Sequence, residues 1–314
     1  RLAEAVAGTG REVRLLGDAW PASEWPWGQC TLLRGGSPGV FAREVSRFRR
    51  PEEILFSFER IPGCDIFRAG DGLHCAWIDR RRAFEPFWKS ALHPLNPKHR
   101  AVLDLERRLF AHDSKTIVIA NSGLVAAEIR QWFPAFPPRL LHVIPNGYDP
   151  PPALPESGRE KARMDFRTAH GVPPQAAVAL FLGTGWERKG LRFAIEATAR
   201  AGWRLIVAGR GPSRRHAAPH VLHLGESKNL PALFAACDVL LHPTWYDPFS
   251  NACLEALAAG LPVITTTANG AAEILEQDVT GSVVSRPDAL GELEEALRFW
   301  KIQNPSASRT ACIN

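Results

Sequence analysis

Asp247 and Glu255 stand eight positions apart in residues 240–267, LLHPTWYDPFSNACLEALAAGLPVITTT, and are the only carboxylates of that stretch. An ionised carboxylate only accepts hydrogen bonds and a hydroxyl donates them, so such a pair suits sugar or ribose hydroxyls. Between the two, Pro248, Phe249, Ser250 and Asn251 lead into a helix of roughly ten residues. The free backbone N–H groups of its first turn suit a phosphate. Asp247 as a helix cap and Glu255 as a solvated helix face account for the same residues, although Leu254, Ala256, Leu257 and Ala258 box Glu255 in.

A second group follows an apolar run at 177–182: Gly183, Thr184, Gly185, Trp186, Glu187, Arg188, Lys189, Gly190. Strand, glycine loop, two adjacent cations and helix would together meet a diphosphate, with hydrogen bonds to charged groups worth about 1.5–3 kcal/mol each. The loop is no P-loop, since no Lys-Ser/Thr closes it, and its third glycine comes too late for a dinucleotide fingerprint. An exposed cationic pair is the plainer alternative. A third group is Asp71 between Gly70 and Gly72, at the carboxyl end of a predicted strand, where open α/β sheets place ligands. Asp and Gly also dominate ordinary turns.

The elements that must hold these residues alternate. Strands are predicted at 13–16, 54–58, 65–69, 116–120 and 141–144, then at 177–182, 205–208, 221–224, 239–241, 263–266 and 281–284. Helices are predicted from about 191, over 230–237, from about 251 and over 288–300. The alternation argues for an α/β protein with mostly parallel sheets. The first ten residues read as the tail of a helix, so the N-terminal domain is expected to lack its first strand and glycine loop. Residues 150–163, PPPALPESGREKAR, read as an interdomain linker, and the final KIQNPSASRTACIN as a polar, shortened end.

A length of 314 residues accommodates two domains with full cores. No apolar run approaches the roughly 18 residues needed to span a bilayer and no signal peptide opens the chain, so the expected location is cytoplasmic. The six cysteines and ten histidines are scattered without zinc spacing, and no metal site is expected. Residues 75–110 hold eight Lys or Arg against four Asp or Glu, interleaved with Trp77, Phe84, Phe87 and Trp88. A solvated basic helix face, an anionic membrane surface and nucleic acid compete as explanations. The small excess and the lack of a binding motif argue against nucleic acid.

Asp247-x7-Glu255, followed by Ala256-Leu-Ala-Ala-Gly260-Leu-Pro262-Val-Ile-Thr, resembles the Glu-x7-Glu signature of retaining glycosyltransferases of family 4, with Asp in place of the usual first Glu. Pro145-Asn146-Gly147-Tyr-Asp149 resembles that family's run at the entrance to the second domain. The run Ile61-Pro62-Gly63-x-Asp65-x5-Asp71 resembles lipopolysaccharide core glucosyltransferases. The resemblance implies the GT-B fold: two Rossmann-like domains, 1–150 on the acceptor side and 151–314 for the donor, facing across a cleft. It implies a retaining, metal-independent transfer of a hexose, glucose first, from a UDP-sugar to a lipid-linked glycan, with no cofactor.

By the same resemblance Arg188 and Lys189 stabilise the leaving diphosphate with Gly183 and Gly185 beside them. Asp247 takes sugar hydroxyls, Glu255 takes ribose, Pro248 to Asn251 line the donor, and Asp71 orients donor sugar or acceptor from the other wall. A lipid-linked acceptor would favour the anionic membrane surface for residues 75–110, a peripheral place on the inner face of the cytoplasmic membrane. The rivals are a catalytically impaired fragment that only binds nucleotide or membrane, and a sugar-nucleotide epimerase of the same architecture.

Overall fold

The computed structural model describes residues 2–18, 28–33, 35–150, 155–303 and 312. They fall into two compact units, Arg1–Ala120 with Ala126–His142, and Asn121–Val125 with Val143–Asn314. Residues 143–150 and 121–125 thus group with the second unit, whereas the expected boundary at 150 assigned them to the first.

The chain first forms α1 (Leu2–Ala7), β1 (Val13–Gly17), β2 (Gly28–Leu32), α2 (Pro38–Phe48), β3 (Phe56–Ser57) and β4 (Ile66–Ala69). Next come α3 (His74–Arg82), α4 (Phe87–Ala91), α5 (Pro97–Leu109), β5 (Ile117–Ala120), α6 (Gly123–Trp132) and β6 (Leu141–Val143). Four strands lie in the order β3-β4-β5-β6, with β3, β4 and β5 parallel. β1 and β2 form a separate parallel pair, from Val13↔Gly28 to Gly17↔Leu32. β2 escapes prediction because Gly-Gln-Cys-Thr-Leu is mostly exposed and has no apolar alternation. The strand expected at 54–58 shrinks to Phe56–Ser57. Before it, the Leu55 N–H donates to the Asp65 carboxylate at 2.7 Å rather than to a ladder.

Glu106 of α5, fully buried, closes the start of α3. It accepts from the N–H groups of His74 at 2.6 Å and Cys75 at 3.1 Å and from Arg60 Nε at 2.9 Å. The two N–H groups are first-turn donors that α3 cannot satisfy itself. Arg60 also donates to the Gly72 carbonyl at 2.8 Å, so the turn carrying Asp71 is tied to the same carboxylate.

The second unit continues with α7 (Glu156–Ala169), β7 (Val178–Leu182), α8 (Leu191–Ala201), β8 (Arg204–Ala208), β9 (Val221–Gly225) and α9 (Leu230–Ala236). It ends with β10 (Val239–His242), α10 (Asn251–Ala258), β11 (Val263–Thr266), β12 (Gly281–Val284) and α11 (Leu290–Ile302). All six strands are parallel, in the order β12-β11-β10-β7-β8-β9. The chain starts at the centre with β7, works outward to β9, then crosses over to β10 and works outward the other way. This is the doubly wound arrangement, and its switch point lies between β7 and β10. Helices cover both faces, so β10 and β11 are buried along their whole length, including the polar His242, Thr265 and Thr266. Leu180, Ile206, Leu240 and Val263 of the sheet pack with Leu233, Phe234, Cys253 and Leu257 of α9 and α10. Each such side chain contributes about 1.5–3 kcal/mol on burial.

Most of the expected linker is in fact helix: α7 starts at Glu156, while residues 151–154 lie outside the described residues, as do 304–311 of the polar end. Tertiary bonds hold α7. Arg167, buried, donates to the carbonyls of Ala236 at 2.9 Å, Pro174 at 2.7 Å and Ala176 at 2.8 Å, and pairs with Asp238 at 3.1 Å. None of the described helices is long and apolar enough to cross a membrane.

Candidate active site

Two loops leave the carboxyl ends of the strands at the switch point, residues 183–190 after β7 and 243–250 after β10. They are stitched together through their backbones. The Arg188 carbonyl accepts from Trp245 N at 3.1 Å and Thr244 Oγ1 at 2.9 Å, and Trp245 Nε1 donates to the Glu187 carbonyl. Arg188 Nη1 donates to the Tyr246 carbonyl at 2.6 Å. Gly190, with φ of +78°, lets the loops touch, since a Cβ there would lie 1.9 Å from the Pro243 carbonyl oxygen. No other residue fits that position.

This stitching brings Arg188 and Lys189 to Asp247. Asp247 Oδ2 lies 3.4 Å from Arg188 Nη1, 3.4 Å from Lys189 Nζ and 3.6 Å from His242 Nε2. Asp247 is only 6% exposed. Burial opposes its ionisation, but the Lys189 and Arg188 cations outweigh burial and hold its carboxyl well below the usual carboxylate range. His242 is wholly buried; burial first and Lys189 next push it down to about 4, so the ring is neutral near pH 7. Two cations thus surround one buried carboxylate, leaving net positive charge where the loops meet.

α10 starts beside this cluster. Ser250 is its N-cap without making a side-chain cap bond. Asn269 shapes the turn instead: its Oδ1 accepts from Ser250 N at 3.2 Å and Ala271 N at 3.0 Å, and its Nδ2 donates to Thr265 Oγ1 at 3.0 Å. Asn251 is exposed and accepts from Asn146 Nδ2 at 2.7 Å, which joins the Pro145-Asn146-Gly147 run to the start of α10. Glu255, half-buried one turn further on, is pushed up by burial while Lys189 pulls it back. Phe249 is placed in the core with Leu240 and Cys253, so its side chain supports the loop from below. The Pro248 carbonyl accepts from Ser122 Oγ at 2.7 Å. Gly183 and Gly185 both adopt positive φ in the loop that carries the cations.

The second unit therefore brings together Gly183, Gly185, Arg188, Lys189, Asp247, Pro248, Phe249, Ser250, Asn251 and Glu255. Asp71 belongs to the first unit, on an exposed turn after β4. There Asp71 helps raise the carboxyl of Glu59, after the larger effect of the protein packed around it. Among the described residues no three His, Cys, Asp or Glu side chains form a metal-binding group. Sequence reasoning missed His242, which looks like an interruption of an apolar strand, and Asn269. It also missed Glu273, whose carboxylate accepts from the N–H groups of Gly123 at 2.8 Å and Leu124 at 2.6 Å.

The sequence model of the family described as "Glycosyl transferases group 1" matches residues 176–299. Lipopolysaccharide glucosyltransferase WaaG of Escherichia coli K12 is 25% identical, over 97% of this chain and 85% of that protein. The crystal structure of WaaG, a glycosyltransferase involved in lipopolysaccharide biosynthesis, superposes with a TM-score of 0.78 at 22% identity, over 99% of this chain and 88% of that one. The structure of Anabaena Alr3699/HepE in complex with UDP-glucose does so with a TM-score of 0.59 at 21% identity, covering 91% and 79%. With the cation pair, the buried aspartate and the start of α10 all inside the matched segment, residues 176–299 are a group 1 glycosyltransferase domain in a chain of GT-B fold, and the protein is a glycosyltransferase.

Proposed function

We propose that the protein transfers a hexose, glucose first, from a UDP-sugar to a sugar of a lipopolysaccharide-type core or another lipid-linked glycan, with retention at the anomeric carbon. The observation that carries this reading is the meeting of Arg188 and Lys189 around Asp247 at the switch point, beside the N-terminus of α10. The cations and the first N–H groups of α10 suit a diphosphate. Glu255 then takes the ribose hydroxyls. Asp247 keeps the cations oriented and ionised, and sugar hydroxyls fall to it in the same place.

In the transfer step the bond from the anomeric carbon to the diphosphate oxygen breaks, and the electron pair leaves with UDP. Arg188 and Lys189 stabilise that charge. The acceptor oxygen bonds to the same face of the carbon, and its proton passes to the departing phosphate oxygen. Two fixed side-chain cations supply the charge that a divalent ion would otherwise supply, so the reaction is read as metal-independent. The WaaG and UDP-glucose-complex relatives support UDP and glucose as the donor.

A second observation supports a lipid-linked acceptor. Of the aromatic and basic residues in 75–110, Trp77 packs on His74 and His99 under Arg81, and Arg80 pairs with Glu128. Phe87 is 87% exposed, Trp88 65% and Leu95 71%, with Lys98 and Arg100 exposed nearby in sequence. Exposed aromatics flanked by cations fit an anionic lipid surface.

The test is a panel of UDP-, GDP- and ADP-glucose, followed by melting temperature and donor consumption with a core oligosaccharide acceptor. UDP-glucose is expected to be consumed and to raise the melting temperature, by about 2.7 kcal/mol of stabilisation at a hundred times its Kd. Binding without turnover would favour the binding-only reading, and turnover without acceptor the epimerase. No shift with any of the three would overturn the proposal.

A further inference from the structure

His242 ends β10 with its backbone held on both sides, its carbonyl accepting from Thr265 Oγ1 at 2.8 Å and Thr244 N at 2.8 Å. Its ring lies within 10° of parallel to Phe181, with centroids 6.1 Å apart. From this fixed position Nε2 reaches 3.4 Å from Lys189 Nζ and 3.6 Å from Asp247 Oδ2, while the buried Nδ1 has no protein partner among the described residues. A wholly buried imidazole with an unpaired ring nitrogen is less stable at a strand end than Leu or Phe would be. The contact with Lys189 is what this ring provides that an apolar side chain would not.

Three side chains crowd one carboxylate oxygen. Without a second acceptor the ammonium of Lys189 would settle wholly on Asp247, away from an incoming diphosphate. We infer that His242 is a positioning residue for the transfer: its neutral ring, with the proton on Nδ1, accepts from the Lys189 ammonium through Nε2 and holds it between His242 and Asp247. This rests on the proposed diphosphate role of Lys189. The ring is neutral across the working range because burial and the neighbouring Lys189 and Arg188 disfavour a second proton, with Asp247 opposing them.

Three variants separate this role from simple packing. The amide of Gln reaches about as far as Nε2, that of Asn only as far as Nδ1, and Leu has neither. His242→Asn and His242→Leu are expected to lower kcat at least tenfold while KM for UDP-glucose and Kd for UDP change less than threefold. His242→Gln is expected to stay within threefold of wild type, and wild-type kcat to be flat from about pH 6 to 8. A His242→Leu enzyme at wild-type rate would overturn the inference. So would a folded His242→Gln enzyme as slow as His242→Asn, or a kcat inflection near the ordinary histidine pKa of about 6.5 that His242→Gln removes. Wild-type protein that neither binds UDP nor consumes UDP-glucose would instead count against the proposed function.

Discussion

The side chain of Lys189 lies across Gly183: its Cε is 3.1 Å, and its Nζ 3.3 Å, from where a Gly183 Cβ would sit. The residue that opens the loop is thus the floor over which the ammonium is carried. Gly183 has φ of +121°, which L side chains rarely adopt. Gly183→Ala should therefore both strain the loop and push Lys189 aside. A loss of about 1–2 kcal/mol in urea unfolding is expected, together with a rise in Kd for UDP. Unchanged UDP affinity would show that Lys189 does not depend on this floor.

Lys189→Ala is expected to lower turnover at least tenfold, and of order a hundredfold if it is a principal stabiliser of the leaving group, with the melting transition intact. A donor-consumption assay at wild-type rate would exclude the diphosphate role. Excess EDTA should leave wild-type turnover within twofold, since Arg188 and Lys189 supply the charge. A tenfold loss restored by Mg²⁺ would contradict a metal-independent reaction.

Glu273 satisfies two N–H groups at the start of α6, beside the Ser122 that holds the Pro248 carbonyl. Glu273→Ala removes a capping carboxylate and should cost about 0.5–2 kcal/mol by urea unfolding. Because Pro248 follows Asp247, Ser122→Ala should act on turnover more than on stability. A Ser122→Ala enzyme with an unaltered kcat would separate that hydrogen bond from the site.

Acid should destabilise the fold through two enclosed histidines, the buried His242 and the half-buried His74. His242 and His74 are both lowered from 6.5 to about 4, each chiefly by burial, with Lys189 next for His242 and Arg60 next for His74. The unfolded chain takes up these protons first, so their contribution is complete above about pH 6.5 and is lost as pH falls toward about 4. Each group contributes a slope of up to about 1.4 kcal/mol per pH unit in that window. The ionised Asp247 adds a loss only below its ordinary value of 3.8. Urea midpoints from pH 7.5 to 4.5 should show this slope, reduced in His74→Gln. Equal slopes in variant and wild type would remove His74 from the account.

Binding to vesicles tests the exposed aromatics of α4. Phe87→Ser with Trp88→Ser should reduce sedimentation with phosphatidylglycerol vesicles at least fivefold, and added salt should weaken wild-type binding. Equal binding to neutral phosphatidylcholine vesicles would argue against an anionic surface.

The strands of the second unit were readable from sequence to within a residue or two, because strands buried on both faces are rich in apolar and β-branched residues, as Val178–Leu182 is. The adjacency of Arg188 and Lys189 and the spacing of Asp247 and Glu255 were readable too, since residues one loop or two helical turns apart keep their relation wherever the element goes. α7 was not, because a polar run becomes helix only when Arg167 finds carbonyls supplied by the β7 approach and α9. Nor was β2, whose exposed residues carry no periodicity. The meeting of Lys189 with Asp247, 58 positions on, and with His242 was decided by strand order alone. Placing β10 directly beside β7 sets their two loops side by side, and no local pattern in the chain specifies which parallel strands become neighbours.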